Sequence, residues 1–408
     1  FLINIVIKVD QQEKTMSVAI MGENFSTVRR TIKNNNIFLV TDSNGNIPGN
    51  NPSGFGLYTN DTRFLSRLEL KINDTDILVL SSSTETGHSS IVISTNTQMK
   101  DYLDQSKLIP QETIQVKRES IIYGSYFETI TVANYNLSEV GIKLEIFFEA
   151  DFLDIFEVRN ISSVVKGIKK EPIYENESLK FIYHDTTGAT LSTEIIFIEE
   201  KPVKIEDGCI SFVFGMSPNA RREIKYQIKL RSTASLPEKL SAYDFNEAFD
   251  KAIQDDENWV KRTSRFLSNN EDFNEMINRG HRDMNMLRTN AYYGEYLAAG
   301  IPWFTTLFGR DCLIAARQCL LLSPLLAKNV LITLAKFQGK ELNDWRDEEP
   351  GKMPHEIRFG ELARSNKIPH SPYYGTVDAT PLWLILLYEY FKWTNDIETL
   401  EKLWPNAM

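Results

Sequence analysis

The stretch Ala299-Gly-Ile-Pro-Trp-Phe-Thr-Thr-Leu-Phe-Gly-Arg-Asp311 runs straight into the apolar segment Cys312–Leu322. Arg310 and Asp311 stand where an aromatic loop carrying Trp303, Phe304 and Phe308 turns into a helix. An adjacent Arg and Asp offer hydrogen-bond donors and acceptors side by side, and aromatic faces grip the apolar faces of small molecules. A sugar ring, with C–H faces and a rim of hydroxyls, suits that mixture. A structural reading competes with it. An acid in the first turn of a helix is favoured by the macrodipole, and a neighbouring arginine is its natural partner.

Outward from this junction, composition sets the bounds. A chain of 408 residues exceeds one ordinary core, so two domains are expected. Hydrophobic content of 42% and charged content of 25% are those of a soluble globular protein. A net charge of −10 argues against a nucleic-acid surface, which needs a basic patch, and fits a neutral substrate. No run is long enough for a transmembrane span. Cys209, Cys312 and Cys319 are odd in number and scattered, which argues against metal ligation or disulfides and for a reducing, cytoplasmic setting; Cys312 and Cys319, seven apart on one predicted helix face, read as core thiols. Phe1–Val9 is a poor signal peptide, lacking a basic start and a cleavage site. Residues 1–15 read as an upstream extension or a strand.

N-terminal to the junction, from about residue 17 to 233, short apolar or alternating runs are separated by turn residues. Ile37–Thr41, Leu68–Val79, Glu112–Tyr123, Glu128–Ala133, Val140–Phe148, Ile195–Glu199 and Glu223–Leu230 are rich in Val, Ile, Tyr, Phe and Thr. Their spacing predicts an antiparallel β-sandwich over residues 1–235. Two places carry more charge than sheet filler needs. Gly54–Ser66 contains Asp61 and Arg63 among aromatics, and Asp151–Glu157 holds three carboxylates after a strong strand. They read either as the lining of a cleft beneath the second domain or as ion pairs and caps at strand ends, the latter being the commoner use of such residues.

A polar stretch, Arg231–Glu238, is followed by a change of period. Residues 236–268 read as a helical linker, with apolar residues at helical spacing from Ala242 to Leu267. Helices over Phe273–Asn290, Asp311–Leu322, Pro324–Gln338, Val377–Thr394 and Glu398–Leu403 follow in residues 269–408, with Pro324 as a first-turn proline. Asn290–Phe308 and Gly339–Gly375 are long connections, and long connections in compact domains are usually functional. The second carries His355-Glu-Ile-Arg-Phe-Gly-Glu361 and ends at Asp378 before an apolar helix. It thus repeats the mixture of aromatics, acids and Arg seen at Arg310–Asp311.

Trp303-Phe-Thr-Thr-Leu-Phe-Gly-Arg-Asp311, His355–Glu361 and Tyr373-Tyr-Gly-Thr-Val-Asp-Ala-Thr-Pro381 resemble the amylo-α-1,6-glucosidase family of glycogen debranching enzyme relatives. These are (α/α)6-barrel glycoside hydrolases akin to glucoamylases. Gly54–Ser66 is similar, more weakly, to the sandwich that accompanies them. The resemblance spans most of the chain from about residue 35. It implies that Arg310 and Asp311 bind hydroxyls of a terminal glucose where cleavage occurs, with Trp303 and Phe304 as a wall. His355 and Glu356 would contact the same or the next sugar, and Tyr373, Tyr374 and Asp378 would close the other side. For Glu356 an ion pair with Arg358 or Arg364 is the competing role, and for His355 a plain hydrogen-bonding one. The resemblance implies inverting hydrolysis by two carboxylates, with no metal or organic cofactor.

The same family needs twelve barrel helices, and about six are visible after residue 242. Its general acid follows the fifth barrel helix and its base lies near the barrel's end. On that comparison the acid and base fall beyond Met408, and the expected fold is a sandwich followed by an incomplete (α/α)6 barrel. The sequence is then a fragment, or a second chain completes the barrel. A non-catalytic glucan-binding or scaffold role, and an inverting phosphorylase on the same barrel, are the alternatives.

Overall fold

A computed structural model describes residues 5–9, 16–20, 29–49, 54–84, 86–160, 166–175, 178–234 and 244–408. Ile5–Val9 pairs antiparallel with Met16–Ile20, so that part of the N-terminal segment is a strand. The end of the polar stretch Arg231–Glu238, and with it the expected boundary at residue 235, lies outside the described residues.

The first half is β-rich and sandwich-like. The largest sheet runs in the order Ile168–Lys169, Ser178–His184, Thr190–Ile198, Arg221–Ser232, Tyr126–Asn134, Ile114–Ile122, Ser89–Asn96 and Ile77–Ser83, with Ile173–Glu175 also paired to Ser178–His184. A four-stranded sheet of Lys204–Glu206, Cys209–Met216, Val140–Glu149 and Arg67–Ile72 packs against it, and Arg30–Asn34, Ile37–Thr41, Gly56–Thr59 and Thr62–Leu65 form another. Period-two alternation does what it should. Leu68, Leu70 and Ile72 point inward while Arg67, Glu69 and Lys71 stay partly open. All these sheets feed one apolar core, from Ile32 through Phe148 to Leu230.

Two expectations need correction. Leu68–Val79 is not one strand: Asn73 and Asp74 both take positive φ, and the strands on either side join different sheets. Short polar side chains tolerate that backbone, so an Asn-Asp pair inside an apolar run is a turn. The same turn chemistry makes Gly54–Ser66 the hairpin Gly56–Thr59 and Thr62–Leu65, turning on Asn60 and Asp61, which also take positive φ. Finally, Asn290–Phe308 is not free of regular structure. Arg288–Ala291 pairs with Gly294–Leu297, and the preceding helix ends at Leu287.

The second half is helical. A single turn, α1 (Ile155–Val158), lies within the sandwich half; α2 (Phe245–Lys261) and α3 (Glu271–Leu287) follow it. Ala248 and Ala252 of α2 pack on Ile121 and Phe127, so the linker helix lies on the outer face of the large sheet. Helices α4 (Gly309–Gln318), α5 (Pro324–Ala335), α7 (Ala379–Thr394) and α8 (Ile397–Ala407) surround a second core built on Leu313, Leu331, Trp383 and Leu386, and the short α6 (Glu361–Arg364) lies in the connection before α7. No helix among the described residues is long and apolar enough to cross a membrane.

Polar bonds join the halves. Lys33 Nζ donates to the carbonyls of Met286 (3.0 Å) and Arg288 (3.1 Å) and to Thr289 Oγ1 (2.9 Å), closing the C-terminal end of α3. Glu361 accepts from Tyr183 Oη at 2.7 Å and from the Thr186 amide at 2.9 Å. Asp154 caps α1 and also accepts the Leu362 amide at 3.0 Å. Burial pushes the Asp154 carboxyl up to about 7.

Candidate functional site

Three segments far apart in sequence meet as one small ladder. Leu307–Phe308 pairs with Glu356–Ile357, and Glu356 in turn bridges to Tyr373. The His355 carbonyl accepts the Gly309 amide at 2.8 Å, and the Tyr373 carbonyl accepts the His355 amide at 2.7 Å. That ladder fixes where α4 begins and brings its first turn beside the N-terminal end of α7. Gly309 permits the approach, because a Cβ there would lie 2.0 Å from the Pro354 carbonyl oxygen.

Arg310 and Asp311 occupy the first turn of α4, and Asp378 is the residue before α7. Arg310 reaches Asp378 (3.6 Å) and Asp311 (3.9 Å), and all three side chains remain partly open. A hydrogen bond from Thr376, helped by Arg310, holds the Asp378 carboxyl below the usual carboxylate range. These are loose, solvated contacts with donor and acceptor capacity to spare.

The aromatic side of the rim is braced by the sandwich. Trp303 packs against the sandwich core, and its ring lies so close to Gly54 that a Cβ there would sit 2.7 Å away. Phe304 is exposed and meets Phe308 edge-on at 5.9 Å between ring centres. Arg159, at the end of α1, lies over both the Trp303 and Phe304 rings, at 5.7 and 6.0 Å from their centres.

His355 sits between Phe308 and Tyr373, with ring centres 5.8 and 6.1 Å away. Its Nδ1 is buried without a partner among the described residues. Tyr373 donates to Asp347 Oδ2 at 2.8 Å. Glu356 is buried and held from two sides, by His370 Nε2 at 2.7 Å and by Arg358 at 3.1 Å. Burial works to raise its pKa, but the His370 hydrogen bond and the Arg358 charge outweigh it, so the carboxyl lies below its ordinary value. Of the two arginines offered for Glu356, Arg358 is the partner; Arg364 binds Asp185 instead, at 2.6 Å. Tyr374 stands apart. It is buried, and its hydroxyl donates to the Phe337 carbonyl at 2.8 Å, so it braces the loop from beneath.

Arg358, named in the sequence only as a candidate ion-pair partner of Glu356, joins this site together with His370, Asp347 and Arg159, which were not singled out there. Arg358 had a signal: it lies two residues from Glu356 in an extended segment, hence on the same face. The other three are brought in by loop and domain packing and had none. The acids of the sandwich make the ion pairs and the cap that were one reading of them. Arg63 pairs with Asp151 at 2.5 Å and Asp154 caps a helix, yet Asp61 reaches Arg358 at 2.9 Å, one residue behind the rim.

Residues 32–227 match a family described as the N-terminal domain of some glycogen debranching enzymes, and residues 263–408 match the amylo-alpha-1,6-glucosidase family. The chain belongs to the glycogen debranching enzyme-related family. The three segments that build the rim all fall within the second match of this debranching-enzyme relative. Among solved structures, a protein described as a kojibiose phosphorylase from the human microbiome superimposes with a TM-score of 0.62 at 11% identity. The match covers 90% of this chain and 54% of that one, so the chain spans about half the length of this structural relative, and the likeness is one of fold. A structure described as the crystal structure analysis of HI1317 matches with a TM-score of 0.23 at 8% identity, over 56% of this chain and all (100%) of that one, too low to carry any argument. Comparison with curated proteins gives no match.

Proposed function

We propose that this chain supplies the sugar-holding rim of a glycoside hydrolase acting on α-glucosidic linkages, of the α-1,6 branch-point type, in glycogen or a related glucan. The observation that carries the proposal is the convergence of Arg310, Asp311 and Asp378, partly open and loosely paired, beside the aromatic wall of Trp303 and Phe304. Such an arrangement offers a glucose unit hydroxyl partners on one side and a ring face on the other. Tyr373 and His355 border it, and Glu356 reaches it from a fixed position. Tyr374 belongs to it as support.

The chemistry in this reading is inversion by two carboxyl groups, one protonating the glycosidic oxygen and the other activating water, roughly 6.5–9.5 Å apart. The residues of this chain bind and orient, and orientation can lower the barrier by several kcal/mol. The acid and base come from further helices that complete an (α/α)6 barrel, on the same or a second polypeptide. Support for that completion is the open apolar side of α7, where Tyr388 and Trp393 are 63% and 55% exposed. A helix apolar all round is normally covered all round. The three free cysteines fit the reducing cytoplasmic setting of the same reading.

Glucose release from a branched glucan by the complete natural protein, with and without inorganic phosphate, tests the reading. Phosphate-independent release that Asp311→Ala abolishes supports it. Phosphate-dependent formation of a sugar phosphate would replace it with phosphorolysis. Glucan binding without turnover would leave the chain a binding or scaffold subunit.

A further inference from the structure

Behind Glu356 the residues form an unbroken polar chain that crosses from one half of the molecule to the other. Asp61 sits at the tip of the hairpin Gly56–Thr59 and Thr62–Leu65, in the left-handed backbone that its two-residue turn requires. Its carboxylate accepts from Arg358 Nη1 at 2.9 Å and from the Phe359 amide at 2.8 Å. Arg358 then donates through Nε and Nη2 to one oxygen of Glu356, at 3.3 and 3.1 Å, and through Nη2 to the Trp303 carbonyl at 3.1 Å. Phe156 of the sandwich half and Phe308 of the rim lie against the guanidinium, 5.2 and 5.3 Å from their ring centres. Asp61, Arg358 and Glu356 are all buried.

A guanidinium with two anions and two aromatic rings about it has little rotational freedom. Its fork is aimed by whichever contacts are most rigid, and here those are the Asp61 bonds, set by a tight turn. We propose that Asp61, a residue of the sandwich half, is a positioning residue for Glu356: by clamping Arg358 and sharing its charge, it presents the Glu356 carboxylate to a glucan hydroxyl in one orientation. This rests on the reading of the rim as a glucan site. The sandwich is then part of the site's machinery and not only a neighbouring domain.

Charge sharing makes the role measurable. The groups facing Glu356 are Arg358, His370 and His355, with Tyr373 beyond them and Asp61 across the guanidinium. Removing the Asp61 charge leaves Arg358 undivided on Glu356. The Glu356 carboxyl should then titrate at lower pH than in the parent. A contact that held the two halves together without acting on the Arg358 guanidinium would leave that titration unmoved in a folded protein.

The experiment uses the full chain with glutamate labelled at its side-chain carboxyl carbon, Asp61→Asn as the variant, and Glu356→Gln to assign the resonance. Asn keeps the shape of Asp and tolerates the left-handed turn. A Glu356 titration moved to lower pH, with maltooligosaccharide affinity weakened roughly tenfold by calorimetry, is the expected result. An unmoved titration in a folded Asp61→Asn protein overturns the proposal. Should that variant not fold, the parent chain carries the test through Arg358, whose clamped guanidinium must give separate, slowly exchanging Nη signals; freely rotating, averaged signals overturn it. A parent chain that binds no maltooligosaccharide while the titration still shifts ends the glucan reading and leaves the positioning of Glu356 by Asp61 intact.

Discussion

Arg310, in the first turn of α4, and Asp378, the residue before α7, face each other, Nη1 to Oδ2 3.6 Å, with side chains 48% and 37% exposed. An open pair at that separation adds almost nothing to folding, because water screens it and two side chains must be ordered to make it. Yet an elaborate ladder, Phe308 to Glu356 to Tyr373, is what brings them together. The expense of the scaffold and the weakness of the pair point to a ligand as the third party.

Asp311→Ala should therefore separate stability from function. The unfolding free energy is expected to change by less than about 1 kcal/mol. Turnover by the complete enzyme should fall by about 10²-fold or more, the cost of a misplaced substrate. Denaturant titration and a glucose-release assay on the same preparation check the two halves of the prediction. Loss of both together would make Asp311 a structural residue.

Gly54→Ala addresses the seam between the sandwich and the rim. The position has φ +75°, and a Cβ would meet the Trp303 ring at 2.7 Å. Backbone strain and displacement of a packed indole together should cost about 1–3 kcal/mol. A lowered melting temperature, with altered tryptophan fluorescence, is the expected signature. Trp303→Leu, which gives the new methyl room, should recover part of the loss.

His88 sets an acid limit. It is buried, with Nδ1 3.5 Å from Asp256 and Nε2 lacking a partner among the described residues. Burial pulls its pKa down to about 4 from 6.5. As pH falls from about 6.5 the unfolded chain takes up a proton that the folded one refuses, so stability drops through pH 4, by at most about 3 kcal/mol. Burial also raises Asp256, to about 6, which acts in the opposite sense. The bare pH profile therefore mixes the two. The difference between the parent and His88→Gln profiles isolates the histidine, and it should show a shallower acid decline in the variant.

The open side of α7 yields a solubility prediction. Tyr388 and Trp393 expose more than half their surface, and patches of that kind mark interaction sites or aggregation hazards. Tyr388→Ser with Trp393→Ser should leave the helical content and melting temperature of this chain nearly unchanged while lowering its self-association in sedimentation velocity. A marked loss of stability would mean that this face is already serving as core.

By itself the sequence determined what local chemistry can determine. Alternation in Arg67–Ile72 made a half-buried strand, helical spacing after residue 242 made helices, and Asp154 before Ile155 made a cap. It also brought Arg310, Asp311 and Asp378 forward, since charged residues near aromatics at helix starts are conspicuous, and Glu356 through the family resemblance of its segment. Apart from Arg358 beside Glu356 and the adjacent Arg310 and Asp311, the partners of those residues were decided by tertiary structure alone. Asp61 and Arg358 are nearly three hundred positions apart (|i−j| = 297), and only the docking of the sandwich hairpin on the long loop makes them neighbours. Tyr374, adjacent to Tyr373, turned to the opposite side of an extended segment and so became support. Side-chain periodicity is a property of a few consecutive peptide units and can be read from them, whereas an ion pair across two domains is set by how whole cores pack, which no short stretch encodes.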